Sequence, residues 1–209
     1  IAPESRFKKD AGNMKEASYH LTLLAQNRTG FQNLVKLASA ASLEGFYFKP
    51  RIDKEILAEH SEGIICLSGC VSSEFNRMIL RGTGGDDEIK DAIEVAQWFH
   101  GVFGDRYFIE IMNNGLEMQR LAMEGAIDVA KRVGLPLVTT SDAHYVDRED
   151  AEAQDVLLCI NTGKFRTDSN RMRMEGDQFF LRSPEEMFAA LPDQADALRR
   201  SQEIADSID

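Results

Sequence analysis

Four short runs of almost wholly apolar residues recur along this chain, and longer stretches with apolar residues at helical spacing separate them. The runs are YHLTLLA (19–25), IICLS (64–68), YFIEIM (107–112) and LVTT (137–140). A strand that is apolar on both faces must be covered on both sides, and helices between such strands supply the cover. The pattern predicts an α/β chain of about four parallel strands with flanking helices. Helical spacing is read over residues 31–42, 73–80, 87–103, 116–133, 148–160 and 184–208. Residues 161–181 read as an irregular loop with one short strand near 179–181, and the glycine- and aspartate-rich segment 82–87 as a surface turn. A length of 209 residues suits one domain spanning 1–209. A doubly wound sheet and a (β/α) barrel both fit this order, but four strands do not close a barrel, so a barrel requires strands that this chain lacks.

Charge narrows the partners. The net charge is −11, and the basic residues gather only in small groups, Arg6 with Lys8 and Lys9, and Arg166 with Arg171 and Arg173. A nucleic-acid grip normally shows a basic patch or stripe. If DNA is a partner, another part of the molecule is expected to hold it. No apolar run approaches the roughly 20 residues of a membrane-spanning helix, and no secretory signal opens the chain. The three cysteines, Cys66, Cys70 and Cys159, form no disulfide framework, which points to a reducing cytoplasm. The first residue is Ile1 rather than Met, the mark of a processed or excised piece.

The strongest local signal for chemistry is PLVTTSDAHY (136–145). Asp142 and His144 stand two apart just past an apolar run, where alternate residues of an extended chain point the same way about 6.5 Å apart. Strand C-termini carry the active sites of parallel α/β folds. A carboxylate oxygen and an imidazole nitrogen side by side there form half of a mixed site for zinc, manganese or iron. The alternative is an Asp142 that caps a turn beside a His144 bonded locally. Cys70 also follows a strand, as a soft ligand or an inert thiol, whereas Cys66 lies within its strand and belongs to the core. His20 opens its strand as a structural histidine or a ligand, and His60 and His100 read as surface. Glu110 is a carboxylate within an apolar strand, so it either faces a polar pocket or pairs with a cation. Asn113 and Asn114 behind it read as a turn. GxxxxGK[ST], GxSxG and HExxH motifs are absent, and RGTGG at 81–85 follows no strand.

The segments HLTLLAQNRTG (20–30), FQNLVKL (31–37), GFYFKPRID (45–53), EGIICLSGC (62–70), TSDAHY (140–145) and VLLCINTG (156–163) together resemble the PHP domain (polymerase and histidinol phosphatase). They match most closely the branch at the start of bacterial replicative DNA polymerase III alpha chains, in order and over nearly the whole chain. The resemblance implies a distorted barrel of seven strands and a cluster of two or three metals, often zinc or manganese, held by up to nine ligands. It implies phosphoester hydrolysis in free-standing members, and in polymerases either a 3′–5′ exonuclease or a structural role. Four residues match ligand positions: His20, Cys70, Asp142 and His144. The family's remaining five ligands and about three strands align upstream of Ile1, so the expected fold is an incomplete PHP-type barrel with its N-terminal strands missing. The resemblance also implies DNA bound through other domains of a parent polymerase, other replicase subunits as partners, and no membrane. A free-standing PHP phosphatase trimmed at its N-terminus is the alternative, and a purely structural or interaction domain a weaker one.

Overall fold

The computed structural model describes residues 1–81 and 89–209. A four-stranded sheet in the order β1 (Thr22–Ala25), β2 (Ile64–Leu67), β3 (Tyr107–Ile111) and β4 (Leu137–Thr139) forms its centre. After the short α1 (Met14–Ala17), the helices α2 (Arg28–Leu43), α3 (Lys54–Glu59), α4 (Glu74–Arg81), α5 (Lys90–Phe103) and α6 (Glu117–Val133) accompany the first three strands. Beyond β4 come α7 (Ala151–Thr162), α8 (Pro184–Ala190) and α9 (Ala195–Asp206). The turn read at 82–87 and the start of the helix read from 87 lie outside the described residues.

All four apolar runs became strands, and the pairs β2–β3 and β3–β4 are parallel, as expected. The first pair corrects the reading of four parallel strands: β1 runs antiparallel to β2, with Thr22 opposite Leu67 and Ala25 opposite Ile64. An apolar run carries no mark of its direction, which is set by long-range pairing; the connection holds α2 and a second helix, α3, which the spacing did not reveal. A second correction concerns the C-terminal segment. The helix read across 184–208 divides into α8 and α9, because Pro192 lacks the N–H of a helical residue and Leu191 before it leaves the helical region at φ −137°, ψ 59°.

Both faces of the inner strands β2 and β3 are buried, which is why their sequences are nearly continuous in apolar residues. Ile64 and Cys66 of β2 join Tyr107, Ile109 and Ile111 of β3 in the main core, with Phe75, Phe99, Ala126 and Val129 from the helices. The alternate residues Ile65 and Leu67 meet Val138 and Ile204 on the opposite face. α2 approaches the sheet closely: a Cβ on its Gly30 would lie 1.7 Å from the carbonyl oxygen of Gly63, itself at φ +68°.

The GFYFKPRID segment is a structural staple. Arg51 is 3% exposed and donates to the carbonyls of Gly45, Ala17, Arg6 and Lys8, so one buried guanidinium gathers four carbonyls from three backbone segments. Asp53 caps α3 by accepting from Ile56 N–H and also holds Arg6 through backbone and guanidinium. Burial pushes the Asp53 carboxyl up, but these N–H groups and the Arg6 charge outweigh it and hold the acid below its ordinary 3.8. Its stabilisation is present above that value and is lost as pH falls through the lower native one. Asp53→Asn is expected to destabilise most at neutral pH, with the gap to wild type in urea unfolding narrowing as pH drops below about 3.8.

Candidate metal centre

Because β1 runs against β2, its beginning lies level with the C-terminal end of that strand. His20, just before β1, forms a backbone bridge with Ser73, past the end of β2. Its Nδ1 is 3.7 Å from Sγ of Cys70. The strand-opening position that set His20 apart in the sequence is thus the position that brings it to the rim. Past β4, the N–H of Thr140 donates to Ile111 O, and Asp142 then turns into the left-handed region at φ +48°. The extended run expected to align Asp142 with His144 is therefore broken. The pair stays close for another reason: His144 Nδ1 is 2.8 Å from the carbonyl oxygen of Asp142 and 4.0 Å from its Oδ1. A carbonyl only accepts, so Nδ1 carries a proton, and in the neutral ring the lone pair is on Nε2.

His20, Cys70 and Asp142 line one cavity of about 630 Å³, together with Glu110, Thr22 and Thr140. His144 lies outside that lining, exposed, with its ring edge-on to Phe179 at 5.5 Å. Cys66 is fully buried in the core, as expected.

Glu110 faces the pocket, and among the described residues it pairs with no cation. It is 5% exposed. Its Oε1 accepts from Thr140 Oγ1 at 2.7 Å, and its Oε2 from Gly69 N–H at 3.0 Å and Thr22 Oγ1 at 3.3 Å. Its own N–H donates to Ser68 Oγ. One carboxylate on β3 thereby ties the start of β1 to the segments that follow β2 and β4.

Two buried asparagines, Asn76, which the sequence did not single out, and Asn114, which it offered only as a turn residue, hold the rim segments. Asn76, on α4, donates to the carbonyls of Gly69 and Cys70, at 2.8 and 3.2 Å. Gly69 there is at φ +85°, where a side chain would be strained and would meet Ser73. Asn114, read as a turn residue, is 2% exposed and donates to the carbonyls of Ser141 and Gln178, both at 2.8 Å, fixing the approach to Asp142. The signal was faint: an amide one turn into a helix, or just past a strand, looks like surface until its surroundings are known.

The cavity is short of positive charge. Burial pushes the Asp142, Glu110 and Cys70 acids up, and the Asp142 charge adds to the shifts of the other two. Burial, then Lys49, pushes His20 down, leaving a neutral ring with a free lone pair. An imidazole, a thiol and carboxylates are suitable donors for zinc or manganese. A His144 that donates Nδ1–H to a carbonyl has the orientation typical of a metal-bound histidine. Among the described residues no three such side chains close on a common point as a full metal cage would. These side chains form instead two close pairs on one rim, His20 with Cys70 and Asp142 with His144.

The PHP domain profile matches residues 4–114. The chain belongs to the PHP domain family. Its sheet is accordingly part of a PHP-type barrel, α/β with mostly parallel strands. The match is also deep in sequence: the chain is 42% identical over 206 residues to the DNA polymerase III subunit alpha of Treponema pallidum, covering 98% of this chain and 17% of that protein. It is 40% identical over its whole length to the same subunit of Borreliella burgdorferi, covering 18% of that protein. Against that of Thermus aquaticus it is 46% identical over 194 residues, 92% of this chain and 16% of that protein. The chain thus spans about a sixth of the length of these curated relatives. In this PHP chain the basic groups noted in the sequence are largely engaged internally: Arg6 with Asp53 and Glu44, Lys8 with Glu4, Arg166 with Glu152, and Arg171 with Asp155. Among the described residues no helix is long and apolar enough to cross a membrane.

The Glu110 network makes a direct prediction. Thr140→Val keeps the shape of the side chain but leaves Oε1 without its donor, and is expected to cost about 2 kcal/mol in urea unfolding. Thr140→Ser, which restores the hydroxyl, is expected to recover most of that loss.

Proposed function

We propose that residues 1–209 form one PHP-type unit of a bacterial replicative DNA polymerase, and that His20, Cys70, Asp142 and His144 are its metal ligands. The observation that carries this reading is the meeting of His20, Cys70 and Asp142, from three distant stretches of chain, at one cavity on the carboxyl rim of the sheet. Identity to polymerase alpha subunits supports the polymerase parent over a free-standing phosphatase, since it extends well past residue 114, where the family profile ends. In the proposed parent, DNA-directed DNA synthesis belongs to another domain, DNA is gripped there, and other replicase subunits are partners. The acidic balance and the internal pairing of the basic groups support that division.

Bound zinc or manganese would supply an activated water and a clamp for phosphate oxygens, the chemistry of a phosphoesterase or 3′–5′ exonuclease. The chain's own residues prepare for this in distinct ways. Neutral His20 and the Nε2 lone pair of His144 offer nitrogen donors, Cys70 offers sulfur, and Asp142 offers carboxylate oxygen. Asn76 and Asn114 fix the segments that carry Cys70 and Asp142, and Thr22, Gly69 and Thr140 keep the Glu110 carboxylate in place behind them. Four donors in two half-sites do not make a polynuclear centre, so the 209-residue chain by itself is read as a metal-binding but hydrolytically inactive unit.

The test has two parts. Purified chain dialysed against zinc is expected to retain metal, and Cys70→Ala and Asp142→Asn are each expected to lower zinc affinity at least about tenfold by calorimetry. Wild-type and variant chains that bind zinc equally would sink the ligand assignment. The chain alone is expected not to hydrolyse a chromogenic phosphodiester with manganese, and turnover above the buffer rate would overturn the inactive reading. Sequencing the reading frame beyond Asp209 separates the two parents, with polymerase palm and finger segments expected.

A further inference from the structure

Glu110 has no direct place among the proposed ligands, yet it is the most deeply buried carboxylate at the cavity. Its hydrogen bonds do not require a charge. A glutamine here would present its oxygen to Gly69 N–H and Thr22 Oγ1, and its amide N–H to Thr140 Oγ1, which can accept as readily as it donates. The shape, the three partners and the link between the strands would all be kept. The charge itself is a burden to the apo fold: it is buried, it has no cationic partner among the described residues, and it shares the cavity with Asp142. A structural account therefore explains an amide at this position better than an acid.

We propose that Glu110 is a positioning residue of the metal centre. Its carboxylate attracts the bound divalent cation from behind the donors and, through Gly69 and Thr140, locks the Cys70 and Asp142 segments at the spacing the cation needs. The two tasks meet in one side chain because both oxygens face the rim: Oε2 bonds the residue before Cys70, and Oε1 bonds a residue two before Asp142. This rests on the reading of His20, Cys70 and Asp142 as metal donors. The residue trades stability of the empty fold for affinity toward the cation.

Glu110→Gln tests this with two readouts, taken on the full 209-residue chain. Thermal unfolding of the metal-free protein at neutral pH is expected to occur at the same temperature as wild type or higher. Cobalt(II) affinity, followed by the thiolate-to-cobalt absorption of Cys70, is expected to fall about 10- to 100-fold with the shape of the absorption band retained. Equal cobalt affinity in variant and wild type would overturn the inference while leaving the ligand set standing. So would a clear drop in metal-free stability with affinity unchanged, the signature of a purely structural carboxylate. A wild-type chain that shows no cobalt absorption, or one that Cys70→Ala leaves intact, would instead sink the ligand reading itself. Should Glu110→Gln fail to fold, Glu110→Asp keeps the charge on a shorter arm. That shorter arm gives up the bonds to Gly69 and Thr140, so its cobalt affinity is expected to fall about tenfold, and affinity equal to wild type would overturn the positioning role.

Discussion

The buried carboxylate of Glu110 is the constraint on which the rim of this molecule depends. It sits on β3, an inner strand, and accepts from Thr22, Gly69 and Thr140, residues of β1 or just past β2 and β4. A charge so deeply buried is costly in itself, and only convergent donors make it tolerable. Those donors are the ends of the strands that carry the proposed ligands. Strand order, antiparallel entry of β1 and the spacing of the rim residues are therefore coupled through one side chain. Movement of any one strand end breaks a hydrogen bond to a buried anion.

Around this centre the polar residues divide by depth. Asn76 and Asn114 spend their N–H groups on backbone carbonyls of the rim segments, which have left the strands. Farther out, Arg51 does the same for the segments around GFYFKPRID, and Asp53 ties Arg6 to the cap of α3. The GFYFKPRID segment thus works by stapling backbone, while its Pro50 and Ile52 line the cavity. Of the small basic groups noted in the sequence, Arg6, Lys8, Arg166 and Arg171 are drawn into pairs with carboxylates of the chain.

The ends of the strands were legible in the sequence because an apolar run that stops abruptly at small and polar residues has few other readings. Cys70 and Asp142 could be picked out on that ground alone, and both line the cavity. Glu110 was legible as a conflict between its charge and its neighbours, though not the resolution of that conflict, since its three partners come from segments 30 to 88 residues away. His144 was read correctly as a neighbour of Asp142 but for the wrong geometry, because the left-handed turn at Asp142 follows from tertiary context and not from local propensity. The buried asparagines were missed for a related reason: an amide that satisfies a distant carbonyl looks the same in sequence as one that faces water.

The sequence by itself determined the four strands, most of the helices between them and the residue types offered for chemistry, since periodicity and strand-end composition act over a few residues. Only the tertiary structure decided the direction of β1. An apolar run pairs in either direction, so its direction follows from the long-range pairing with β2 and not from local pattern. With β1 parallel, His20 would lie at the far end of the sheet from Cys70. With β1 antiparallel, His20 and Cys70 meet at 3.7 Å, and four scattered residues become one rim.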